Sequence, residues 1–198
     1  MRRKLEDLYR SSPVFRRLYR WLRGNPAVER KLQEVDGRVL DVGAGAHPIR
    51  ADVIIDRYTG DTGHRTGEVF DAKPFVKGDI EHLPFETDAF GYVHARQVVE
   101  HAADADAAIA ELERVGEHGY IESPAPLLER YCGGMCVSGH HRWVLHESDD
   151  GIEPVPAADA EYQKYGPLPE KLYSVLPVRV PLLLLNRYVR FLHTTHHW

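Results

Sequence analysis

Apolar positions along this chain fall into two periodicities. Near the start the spacing is helical. Leu5, Leu8 and Tyr9 predict a first helix over 2–10, and Ser12-Pro13 caps a second with Val14, Phe15, Leu18, Tyr19 and Leu22 as its stripe. Asn25-Pro26 repeats the cap signal for a third helix that stops near Asp36-Gly37. From there the pattern changes to short apolar runs bounded by turn residues, predicting strands at 38–42, 52–56, 74–76, 91–95 and 120–122. A helix rises from Asp104 with Ile109, Leu112 and Val115 on one face, and Gly116 ends it. Beyond 125 the pattern predicts strands at 142–145 and 173–180. It also predicts a helix carrying Leu182, Leu185, Tyr188, Val189 and Leu192, whose apolar run reads as core or a dimer seam.

Composition narrows this picture. A chain of 198 residues with 43% apolar side chains is enough for one buried core with an appended cap. Its net charge of −5 is uneven: residues 1–23 carry eight Arg or Lys against Glu6 and Asp7, so that segment is +6 and the remainder −11. The acidic remainder argues against a nucleic-acid-coating protein, and the basic arm reads first as a solvated helix face. No signal peptide is legible, and no apolar run reaches the roughly 18 residues a membrane span needs, so the expectation is a cytoplasmic protein. The only two cysteines, Cys132 and Cys136, are too few for a disulfide scaffold. With His140 and His141 they place four zinc-type ligands within ten residues, but all fall in one Gly-rich loop with the histidines adjacent, so the expectation is no metal.

The most informative stretch is 37–56. Val39-Leu40-Asp41-Val42 runs into the turn Gly43-Ala44-Gly45, and a second apolar strand ends on Asp56. Strand, glycine turn, strand and acid is how an α/β sheet holds an adenosine-containing cofactor: glycines admit close backbone approach and the acid takes the ribose hydroxyls. Further motifs follow in order: Gly78-Asp79-Ile80-Glu81-His82-Leu83-Pro84-Phe85, then Asp88–Val93 with Val98-Val99-Glu100-His101 after it, then the helix Ala108–Val115. Together these resemble the class I S-adenosylmethionine-dependent methyltransferases of the type 11 kind, over roughly residues 37–125.

The resemblance implies a Rossmann-like, seven-stranded, mostly parallel sheet with helices on both faces. Residues 1–36 would form an N-terminal helical cap and 37–198 the methyltransferase-like domain, with the motif-bearing core at 37–125 and substrate-side and C-terminal elements at 126–198. It implies S-adenosyl-L-methionine as cofactor, touched by Asp41, Gly43, Ala44, Gly45, Asp56, Arg57, Asp79, Ile80, Ala95 and Arg96. The third glycine of the family's first motif is replaced by His47, followed by Pro48, and only seven residues separate Pro48 from Asp56. At about 1.5 Å per residue no three-turn helix fits there, so the first crossover helix is shortened to a turn. Residues 57–74 also lack a helical period.

Methyl transfer needs a well-placed nucleophile more than a catalytic constellation. The best candidate cluster on the acceptor side is His140, His141 and Arg142, a base or pair of bases beside a cation for an acidic acceptor. No Asn-Pro-Pro-Tyr follows strand 4 and no Pro-Cys nucleophile is present, which argues against nucleic-acid base methylation. The expected function is methyl transfer to oxygen or nitrogen of a small-molecule acceptor or biosynthetic intermediate, with a homodimer formed through the terminal helices as a possible assembly. The alternative is a non-methylating relative that binds the cofactor or its demethylated product for a structural, partner-binding or other catalytic purpose.

Overall fold

The computed structural model describes residues 11–45, 48–60, 74–126, 129, 141–149, 151–159 and 193–198. Among them the chain runs α1 (Pro13–Arg23), α2 (Pro26–Glu34), β1 (Val39–Val42), β2 (Val53–Asp56), β3 (Phe75–Lys77), β4 (Tyr92–Arg96), a 3-10 turn (Val99–His101), α3 (Ala105–Val115), β5 (Gly119–Pro124), β6 (Trp143–Ser148), β7 (Gly151–Pro156) and β8 (His193–His197). The sheet order is β3-β2-β1-β4-β5-β8. β1 to β5 are parallel and β8 is antiparallel to β5. Six strands of the expected seven are thus described. The strand expected at 173–180 and the helix expected at 182–192 lie outside the described residues, as does the helix expected at 2–10.

Each face of the sheet is covered differently. Strand side chains alternate between faces. On one face Leu40, Val42, Val93, Ala95 and Ile121 meet Ala105, Ala108, Leu112 and Val115 of α3 in a continuous apolar core. Asp104 caps that helix by accepting from the Ala107 amide at 3.0 Å. Gly116 follows it because a Cβ there would lie 2.5 Å from Val93 Cγ2. On the other face Val39, Tyr92 and Tyr120 pack with Val28 of α2 and with Ala51. Asn25 caps α2, its Oδ1 accepting from the Ala27 amide at 2.9 Å. Ser12 does the same for α1, accepting from the Phe15 amide at 3.2 Å. Of the stripe expected on α1, Val14 and Leu18 are 79% and 51% exposed and Phe15 is half-buried.

The first crossover carries no helix among its described residues. The segment leaves β1 at Gly43, whose amide donates to Ile55 O at 2.8 Å, and returns with the Asp52 amide donating to Val39 O at 2.8 Å. β6 and β7 form a separate antiparallel hairpin. It docks through buried Val144 and Leu145 and through Thr194 Oγ1, which donates to Leu145 O at 2.8 Å.

Candidate functional site

The glycine turn and two acids stand in a row at the C-terminal ends of three adjacent parallel strands. Val42 is paired with Ile55, so Gly43 and Asp56 follow side by side. Asp56 is paired with Lys77, and Asp79 comes two positions later. Gly43 and Gly45 adopt φ of +67° and +55°, the left-handed region. A Cβ on Gly43 would also lie 2.7 Å from Val98 Cγ2, so that position admits glycine alone. Ala44 sits half-buried between them. The Asp56 side chain is buried and its Oδ1 accepts from the Tyr58 amide at 2.9 Å. Asp79 accepts from the Glu81 amide at 3.2 Å and faces Arg57 Nη1 at 3.4 Å. Ile80 is buried beside it. Ala95 and Arg96 end β4, with Ala95 directly across from Val42. Neighbours diverge here, β2 to one side of β1 and β4 to the other. Crevices at such switch points of α/β sheets are where ligands bind.

Asp41 and Arg96 are held by protein groups. Asp41 Oδ2 accepts from the Ile49 amide at 2.8 Å and so closes the loop that follows the glycines. Its Oδ1 lies 2.8 Å from His94 Nδ1. The His94 ring stacks on Tyr120 at 5.7 Å. Tyr120 donates its hydroxyl to Glu122 Oε2 at 2.5 Å and accepts from Asn25 Nδ2 at 2.9 Å. Glu122 Oε1 in turn lies 2.9 Å from Arg96 Nε, an ion pair without hydrogen-bond geometry. A polar ladder thus crosses β1, β4 and β5 on the α2 face. His94, Tyr120 and Glu122 escape motif matching, but their signal is in the sequence: each is a polar or amphipathic residue on the same-face positions of an otherwise apolar strand.

A second polar cluster lies on the other side of β4, where the 3-10 turn meets the start of β6. Glu100 is fully buried, and neither carboxylate oxygen has a hydrogen-bond partner among the described residues. Burial pushes its pKa up to about 7, against the opposing pull of His141. Ser123 and the Glu100 backbone amide also favour the charged form, without meeting hydrogen-bond geometry with the carboxylate. His141 is buried, with Nδ1 2.5 Å from Glu129 Oε1. Burial works to lower its pKa, but the Glu129 hydrogen bond and the charges of Glu100 and Glu129 outweigh this and raise it. The His101 ring meets the His141 ring edge-on at 4.7 Å.

The acceptor-side expectation therefore divides. His140, Cys132 and Cys136 lie outside the described residues. His141 is inside the protein and bound to Glu129. Arg142 is exposed; its backbone amide donates to Glu100 O at 2.8 Å and its carbonyl accepts from the Ala157 amide at 2.8 Å.

Parts of the chain are similar to known proteins. Residues 59–121 match the pattern of the Methyltransferase domain family. The match begins after Asp56, so the glycine turn, where the crossover is shortened, falls outside it. Over 82 residues, 41% of this chain, the sequence is 33% identical to the sterol 24-C-methyltransferase of Schizosaccharomyces pombe, and it spans 17% of that enzyme's length. Among solved structures, the YcgJ protein of Bacillus subtilis is similar at 21% identity and a TM-score of 0.42, over 62% of this chain and 61% of that one. A Haloferax volcanii protein described as a putative methyltransferase, in complex with the Trm112 methyltransferase activator, is similar at 13% identity and a TM-score of 0.46, over 98% of this chain and 96% of that one. The domain match indicates S-adenosylmethionine as the cofactor. The site fits the adenosine part of that group: a glycine turn that admits no side chain, a strand-end acid for the ribose and an acid with an apolar neighbour for the adenine.

Proposed function

We propose that this chain, which carries the methyltransferase-domain pattern of a class I fold, transfers a methyl group from S-adenosylmethionine to an oxygen or nitrogen of a small-molecule acceptor or biosynthetic intermediate. The observation that carries the proposal is the alignment of Gly43, Asp56 and Asp79 along three successive strand ends at the switch point. When bound, the cofactor supplies an electrophilic methyl on a sulfonium. Gly43 and Gly45, with no side chains, let the backbone of the turn come close to the cofactor. Asp56 accepts from the ribose hydroxyls in a charge-assisted pair, and Asp79 with Ile80 orients the adenine. Asp41 acts one step back, fixing the loop at Ile49 and thereby the path of the glycine turn. On the acceptor side we assign Arg142, which is exposed, as the cation for an acidic acceptor. Most of the rate then comes from positioning, with a base needed only for an acceptor that must lose a proton.

The shortened crossover supports a second reading, in which the domain binds the cofactor or its demethylated product without transferring the methyl. Calorimetry with both compounds, followed by a screen for methyl transfer to small acceptors, separates the two. A charged hydrogen-bond pair contributes about 1.5–3 kcal/mol, so Asp56→Ala is expected to weaken cofactor binding about ten- to a hundredfold. Unchanged affinity in a folded variant would remove the ribose assignment. Arg142→Ala is expected to depress turnover while leaving cofactor affinity nearly intact.

A further inference from the structure

We propose that Glu100, His101 and His141 form a binding site for a single divalent cation of the zinc class, with Glu129 holding His141 from behind. The sequence expectation of no metal concerned a different set, Cys132, Cys136, His140 and His141; of these only His141 enters the site assigned here.

Three observations carry it. First, one ligand atom from each of Glu100, His101 and His141 lies within 4.8 Å of the others. A tetrahedral zinc ion, with bonds of about 2.0–2.2 Å, would draw such atoms to about 3.4 Å apart. That asks for modest side-chain rotation and no change of fold. Second, Glu100 is fully buried and both its oxygens lack a donor among the described residues. An ionised carboxylate accepts only, and buried charges are stable when paired or when they coordinate a metal. A bound cation supplies the partner that this carboxylate lacks among the described residues. Third, His141 Nδ1 is taken by Glu129. A hydrogen bond at one ring nitrogen fixes the tautomer and leaves the Nε2 lone pair free to ligate. Metal-binding histidines are typically oriented by a carboxylate in this way.

The donor set selects the class of ion. Two imidazoles and one carboxylate suit zinc and its first-row neighbours over calcium or magnesium, which prefer all-oxygen shells. Three protein ligands leave one corner of a tetrahedron for water. The ion would tie the 3-10 turn after β4 to the residue that leads into β6, two elements that otherwise meet through the Arg142 amide and Glu100 carbonyl and through Trp143 Nε1, which donates to Ala102 O at 3.0 Å.

The test uses the full chain, purified without a histidine tag, stripped with a chelator and titrated with zinc against a chromophoric competitor. The expected result is about one zinc per chain at sub-micromolar affinity, with a rise in melting temperature on zinc addition. Glu100→Gln and His141→Ala should each weaken zinc binding by a hundredfold or more. Glu129→Gln, which touches no metal, should weaken it about ten- to a hundredfold. If His141→Ala does not fold, Glu100→Gln, close in shape to the native side chain, carries the test, with circular dichroism as the check. Absence of zinc binding at micromolar concentrations overturns the proposal, as does affinity unchanged in Glu100→Gln. Two other variants can also overturn it: loss of binding in His196→Ala/His197→Ala would move the ion to β8, and loss in Cys132→Ser/Cys136→Ser to the cysteine segment. Because only metal binding is read, failure of the methyl-transfer proposal would leave this outcome unaffected.

Discussion

The two faces of the sheet do different work. Toward α3 the strands present Leu40, Val42, Val93, Ala95 and Ile121, and the helix answers with small and branched apolar residues. Toward α2 the same strands present Asp41, His94 and Glu122, linked through Tyr120 and Asn25. Burial of apolar area is non-directional and supplies most of the folding free energy. A hydrogen-bonded ladder contributes little net stability per bond but fixes positions, because each unpaired member would be costly. The apolar face should therefore govern whether the chain folds, and the polar face where the strand ends and the glycine turn come to rest.

Substitutions on each face can break that division. The largest stability loss is expected for Leu112→Ala, a fully buried α3 residue, at about 2–5 kcal/mol in urea unfolding, with cofactor affinity of the folded protein little changed. A loss under 1 kcal/mol would mean the α3 face is not the main core. Asp41→Ala should cost less, about 1–3 kcal/mol for groups left unpaired at Ile49 and His94. It should nonetheless weaken cofactor binding at least tenfold by calorimetry; destabilisation with no loss of affinity would refute the positioning role. Asn25→Ala removes both the α2 cap and the bond to Tyr120, for about 1 kcal/mol. In a double-mutant cycle with Tyr120→Phe it should couple by 0.5 kcal/mol or more, and strict additivity would show that the ladder does not reach α2. Least affected should be Leu18→Lys on the exposed side of α1, within about 0.5 kcal/mol by thermal melting.

How much of this was legible in the sequence follows from what kind of force made each element. β1 to β5 and α3 announce themselves because their apolar period is the cause of their burial; the strands fall within two residues of the expected bounds. The helix-poor first crossover was legible from chain length alone, since Pro48 to Asp56 leaves no room. The glycine turn was legible because its left-handed backbone restricts the residue type. β8, His-Thr-Thr-His-His, has no apolar alternation, and its strand state comes from pairing with β5. β7 holds Pro154 and Pro156, residues that argue against a strand and are accommodated because the hairpin pairs β7 on one side only. The Glu100 cluster was half legible. Glu100 and His101 stood in the motif and His141 among the candidates, but that they meet depends on β6 returning beneath the turn after β4, which no local pattern encodes.

The pairing of β5 with β8 has a consequence for the order in which the chain can be made. Tyr120 is matched with His197 and Pro124 with His193, so β5 lies beside a partner separated from it by everything between 125 and 192. While a ribosome is still producing that stretch, β1 to β5 and α3 are already available, yet β8, the strand described on the outer edge of β5, is still missing. An open edge beside buried Tyr120 and Glu122 is a template for pairing with other chains. Non-local pairing of this kind is also slow to form. The nascent protein is thus expected to pass through an interval in which it is nearly folded and most prone to associate. Chains stalled shortly before His193 should be captured by chaperones in preference to full-length ones, and release should coincide with the emergence of β8.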